Sequence, residues 1–166
     1  MRRALQNDRS GAVYVEFIIA FLPLLVFFSS LVQLAVLQTA DLVTKHAATV
    51  AARAAVVVLP DDPKFYGGEQ KNQASGQRLS DIQMAATIPL TAIDPDPVVA
   101  VKFPSSANGT DSRSSFGNED TVFVRVEYTH TCSVPIGNVV VCGADRTRQL
   151  VGVAAMPNQG AAFDYP

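Results

Sequence analysis

An α+β fold, a long N-terminal helix followed by a small antiparallel β-sheet, is the class this sequence predicts. Three observations predict it. Between Ala12 and Leu59 almost every residue is apolar or small, with few helix breakers. Pro60-Asp61-Asp62-Pro63 then stops that run, and the part that follows has an ordinary globular composition; at about a hundred residues it can bury one modest core. Late in this second part, Val122, Val124, Val126 and Tyr128 alternate with Arg125, Glu127 and Thr129. Such a period of two marks a strand with one buried and one wet face.

The apolar excess, 48% hydrophobic residues over 166, is concentrated in the first part. From Phe17 to Ala40 no side chain is charged. At 1.5 Å per helical residue, the apolar part 17–37 spans roughly 30 Å, the thickness of a bilayer's hydrocarbon. Its polar members are Ser29, Ser30 and Gln33, and a helix satisfies its own backbone in lipid. A transmembrane helix over 17–37 is therefore expected. A buried core helix is one alternative, although such helices rarely run this far without a charge. A cleavable signal peptide is another, but it needs an apolar stretch of about 7–15 residues ending at a small-residue site. Small residues in that pattern occur only near Ala47 to Ala55, where helix is expected to continue.

Arg2, Arg3 and Arg9 precede the span, whereas the first cation after it, Lys45, stands close to Asp41. The positive-inside rule then puts the N-terminus in the cytoplasm and the rest outside. The expected organisation is a cytoplasmic leader over 1–11, a long helix over 12–59 and an exported α+β domain over 60–166. The expected topology is a membrane crossed once, with the C-terminal domain on the side away from the cytoplasm.

The junction before the span reads Arg9-Ser10-Gly11-Ala12-Val13-Tyr14-Val15-Glu16-Phe17. A basic, polar leader ends in Gly, the apolar helix starts at once, and one carboxylate, Glu16, stands at the fifth position after Gly11. Read from the residues alone, Glu16 suits a first helical turn, where the helix dipole favours it by ~0.3–1 kcal/mol. An ionisable group this close to a membrane otherwise costs a few kcal/mol unless paired.

This junction resembles type IV prepilins, whose leaders are cut on the cytoplasmic face after a Gly and whose mature chains carry Glu at position five. The resemblance implies cleavage between Gly11 and Ala12 by a prepilin peptidase. Gly11, lacking a side chain, would let the backbone be drawn extended into the peptidase cleft. Glu16 would set subunit register in an assembly by pairing with the α-amino group exposed at Ala12 of a neighbour. Residues 11–17 with Phe21-Leu22-Pro23-Leu24-Leu25, and the later Ala47 to Ala55 run, look like TadE-like pseudopilins of the tight-adherence (Tad) pilus. Val122 to Tyr128 and Ala154-Ala155-Met156 fit that family's ending, although Pro157 follows where a basic residue is common. The likeness covers 9–59 well and the last third loosely. It implies a pilin-like arrangement in a bacterial inner membrane, crossed once, with the C-terminal domain in the periplasm; the prepilin peptidase, sister pilin or pseudopilin subunits, a Tad-type assembly platform and the lipid bilayer as partners; and a place in an extracellular pilus.

Pro23 deletes the hydrogen bond to the Ile19 carbonyl and should loosen the helix. The resemblance makes it a hinge; a membrane helix also tolerates such a proline. Beyond the span, Asp41 and Lys45 form an i,i+4 pair worth a few tenths of a kcal/mol. The alanines at 47, 48, 51, 52, 54 and 55 allow close packing, against sister subunits or within the chain.

In the second part, residues 67–77 read as loop, and Ser80 is expected to cap a short helix over 81–86 that ends before Pro89. Residues 98–103 form a candidate strand, and 104–120, rich in Ser, Gly, Asn and Asp, a mobile loop. Its Asn108-Gly109-Thr110 is a formal glycosylation triplet without weight in a bacterial-looking protein. After the strand at 122–128, Pro135-Ile136-Gly137-Asn138 is expected to turn, Val139-Val140-Val141 to return as a strand, and 149–155 to give the last strand. Cys132 and Cys142 are the sole cysteines and flank that turn. A disulfide pinning the hairpin in an oxidising periplasm is the expectation, at ~2.5–3 kcal/mol for so short a loop. Free thiols are the alternative; a redox pair would want Cys-x-x-Cys and a zinc site four ligands.

No nucleophile elbow, phosphate loop or zinc-binding His pair is present, so neither enzymatic activity, small-molecule substrate, metal nor cofactor is expected. Asp94 and Asp96, between prolines, read as solvated turn residues. A formal net charge of −2, without a basic patch bearing aromatics, argues against nucleic acid as a partner.

Overall fold

A computed structural model describes residues 10–158. Helix α1 runs from Ser10 to Val58, 49 residues. It is followed by a 3-10 turn at Pro63–Phe65, helix α2 (Gly76–Leu90), strands β1 (Val99–Lys102) and β2 (Thr121–Thr131), the short helix α3 (Gly137–Cys142) and strand β3 (Thr147–Pro157). The described residues fall into two compact units: those up to Leu37 with Thr131–Thr147, and Gln38–His130 with those from Arg148.

In the second unit the sheet has the order β1-β2-β3. β1 pairs antiparallel with β2, Val99 opposite Tyr128 and Val101 opposite Val126. The alternation expected of β2 holds, for Val122, Val124, Val126 and Tyr128 are all buried. On its other face Glu127 accepts from Lys102 Nζ and from Arg125 Nε, each at 2.8 Å. The outer half of α1 buries Ala40, Thr44, Ala47, Ala48, Ala51, Ala52 and Ala55, a stripe at helical spacing that Leu59 continues just past its end. Small side chains there let the sheet come close. A Cβ on Gly152 of β3 would stand 2.4 Å from the Thr44 carbonyl oxygen, so no larger residue fits without a shift. The alanine run thus serves packing within the chain.

Helix α2 starts at Gly76 rather than at Asp81 and continues through Pro89 to Leu90. Its first-turn amides are satisfied from a distance, by the Glu69 carboxylate accepting from the N–H of Gln77 at 2.7 Å and of Arg78 at 3.4 Å. Local capping rules do not reach a partner eight residues away. Ile82, Ala86 and Leu90 bury one face of α2. The expected strand at 98–103 contracts to Val99–Lys102. The polar segment 104–120 is tied down at its end, where Ser114 O and Asn72 O accept from Ala74 and Phe116, and Phe116 packs edge-on to Phe103.

Arg78 is fully buried. Its guanidinium donates to the carbonyls of Val58, Asp61 (2.9 Å) and Glu69 (3.3 Å) and lies 4.2 Å from the Tyr66 ring centre. It therefore closes the C-terminal end of α1, where carbonyls lack helical partners and the dipole favours a cation.

Val139–Val141 does not return as a strand; it lies in α3. β2 already has β1 on one edge and β3 on the other, so no edge is free for a third partner. The residues coil instead, with Asn138 N–H donating to Val134 O and Gly143 N–H to Val139 O. Cys132 and Cys142 are joined by a disulfide, but what it closes is a helical loop between the two long strands, not a hairpin.

Candidate membrane segment and processing junction

Gly11 and Ala12 lie in the first turn of α1, and an added Cβ on Gly11 would meet nothing within 4 Å. Glu16 is exposed one turn on. The residues before Ser10, including Arg2, Arg3 and Arg9, lie outside those described. From Val13 the helix is long and apolar enough to cross a membrane, and none of its most apolar window is buried. Phe17, Leu24, Phe27 and Phe28 are each more than 60% exposed, which in water would leave a large unpartnered apolar face. The rings of Phe17 and Phe21 stack at 5.4 Å. Pro23 sits inside the helix, which continues through it. Ser30 donates to Val26 O at 2.7 Å, which satisfies its hydroxyl within the helix.

Gln33 behaves differently from the other polar residues of the run. It is fully buried, and its Oε1 accepts the Val134 N–H at 2.9 Å. One turn earlier the Ser29 carbonyl would stand 2.2 Å from a Cβ on Gly137, so the loop backbone rests directly on the helix. The disulfide loop is thus docked at Ser29–Gln33, inside the stretch 17–37. Sequence reasoning missed this contact. Its traces were a lone glutamine in an apolar run and a glycine two residues after a proline, neither of which names its partner.

A second cluster forms around β2. Tyr128 Oη donates to Asp94 Oδ2 at 3.0 Å and lies 3.5 Å from His130 Nδ1. Burial, then the Asp94 carboxylate, pushes the Tyr128 hydroxyl up to about 12. Burial pulls His130 below its ordinary 6.5, with Asp94 opposing. Asp94 is therefore a half-buried anchor rather than the solvated turn residue expected, while Asp96 is exposed. Tyr128 and His130 are 1% and 7% exposed; a group so enclosed ties segments together and offers reactants no access. Among the described residues, no group of three His, Cys, Asp or Glu side chains is placed to hold a metal.

Comparison with family models, with curated proteins and with solved structures finds no match.

Proposed function

We propose that this chain is a TadE-like pseudopilin or minor pilin, stored in the inner membrane and matured by a prepilin peptidase between Gly11 and Ala12. The observation that carries the reading is the coupling of the Gly11-Ala12…Glu16 junction to one continuous helix, Ser10–Val58, with an apolar and unburied first half. A filament subunit needs such a helix twice, as a membrane anchor before assembly and as a packing element after it. Glu16, costly near lipid, gains a partner when a neighbour's new α-amino group lies beside it. The three-stranded sheet and its long helix are compatible with a pilin-like domain. In this reading the domain decides the subunit's place in a Tad-type pilus or related envelope apparatus.

Mass spectrometry of the intact chain and its N-terminal peptide, after extraction from the native membrane, tests the proposal. A mature chain starting at Ala12 is expected. A chain that retains the residues through Gly11 overturns it and favours a permanently anchored periplasmic binding module.

A further inference from the structure

We infer that the disulfide-closed loop Cys132–Cys142 is a membrane foot, resting on the outer leaflet and contacting lipid through Ile136, Val139 and Val140. The inference rests on the membrane reading of α1 and adds a second lipid contact to it.

Position is the first ground. The loop is held on the helix at Ser29 and Gln33 by the Gly137 contact and the Val134 hydrogen bond. Ser29 lies twelve residues beyond Phe17, about 18 Å along a helix whose apolar run covers roughly 30 Å. A loop docked there cannot stand clear of a bilayer that the run spans. The helix residues around the contact face outward too, Phe27, Phe28, Leu31 and Val32 being exposed.

Chemistry is the second. From Thr131 to Ala144 no side chain is charged, and charge returns only at Asp145 and Arg146. Ile136, Val139 and Val140 are 41%, 49% and 59% exposed, three large apolar side chains shown within five residues. Ile136 is held at φ 67°, a conformation costly for a β-branched residue. The loop keeps it there at the tip.

Backbone pairing is the third, since irregular chain enters an apolar phase more readily the more of its polar groups are paired. The N–H groups of Cys132, Val134, Gly137, Asn138, Val140 and Gly143 all have acceptors within this unit, and Pro135 has none to satisfy. The occupant is therefore the lipid surface, continuous with the lipid around α1, at the depth of about 5–10 Å usual for interfacial segments. The disulfide preserves the compact form that makes this tolerable.

The chain contains no tryptophan, so single Trp variants report cleanly. Val140→Trp, Val139→Trp and, as a marker of the span, Leu24→Trp would each be made in the full chain. Each would be reconstituted into phosphatidylcholine–phosphatidylglycerol vesicles with or without acyl-brominated lipid. Retention of the disulfide, read by thiol alkylation and mass, shows that each loop variant has folded. The expected result is blue-shifted emission from both loop tryptophans, which lose most of their fluorescence to shallowly brominated lipid. Leu24→Trp quenched with loop tryptophans unquenched and red-shifted overturns the foot and leaves the span standing. Loop emission that is blue-shifted yet indifferent to brominated lipid also overturns it, because a second copy then covers the face. Leu24→Trp escaping quenching defeats the membrane reading, and the foot with it.

Discussion

Replacing Arg78 by methionine keeps most of the side chain's length and apolar stem but removes the charged fork that ends α1. In the folded chain that fork serves the carbonyls of Val58, Asp61 and Glu69 from a site with no exposure. A hydrogen bond from a charged donor is worth about 1.5–3 kcal/mol net, and the two best placed, to Val58 and Asp61, together give about 3–6 kcal/mol. Domains of this kind have roughly 5–15 kcal/mol in all, so Arg78→Met is expected to remove a large part of the stability of the second unit. Lysine, a single point charge on a flexible stem, cannot span all three carbonyls and should restore only part. The assay is urea unfolding of the full chain in detergent micelles, followed by near-UV circular dichroism of the tyrosines. Arg53→Met, at an exposed position of the same helix, is the control and should change stability by no more than about 0.5 kcal/mol. An Arg78→Met loss below about 1 kcal/mol, within reach of ordinary surface substitutions, would refute the reasoning. The carbonyls would then be served equally well by water.

Other consequences can be checked with the same preparation. Gly152→Val should destabilise by about 1–3 kcal/mol, as overpacking does, because its side chain would meet the Thr44 carbonyl; unchanged urea midpoints would mean that helix and sheet are not in close contact. Cys132→Ser with Cys142→Ser should cost about 2.5–3 kcal/mol under oxidising conditions and nothing relative to the reduced wild type. Burial holds the His130 pKa below the ordinary 6.5 in the folded chain, with Asp94 opposing. The unfolded chain therefore binds the proton more readily, and stability present above pH 6.5 falls as the pH drops below it, by at most about 1.4 kcal/mol per pH unit. His130→Gln should flatten that slope in urea titrations from pH 7 to 5. Glu127 is held below its ordinary 4.5 by its bonds to Lys102 and then Arg125. Its contribution is accordingly present above pH 4.5 and lost below it, and Glu127→Gln should remove that acid-side loss.

The division between what one-dimensional pattern determines and what contact decides is visible residue by residue. The apolar run without charge, the proline stop at Pro60 and the alternation from Val122 to Tyr128 are local patterns with one stable outcome each, because a helix or strand must bury or expose whole faces together. Those patterns determined the long helix and the central strand, and the short spacing of two cysteines marked a loop that a disulfide would close. The start of α2 was not readable, because its cap is the Glu69 side chain from outside any local window. Asp94 looked like a solvated turn residue since its partner, Tyr128, lies thirty-four positions on. Val139-Val140-Val141 has the composition of a strand and yet forms a helix, for both edges of β2 were already taken by β1 and β3. Gln33, Gly137 and Arg78 gained their roles only when distant chain was brought against them. A buried donor or acceptor must find its partner wherever the fold puts one, and that placement belongs to the tertiary structure alone.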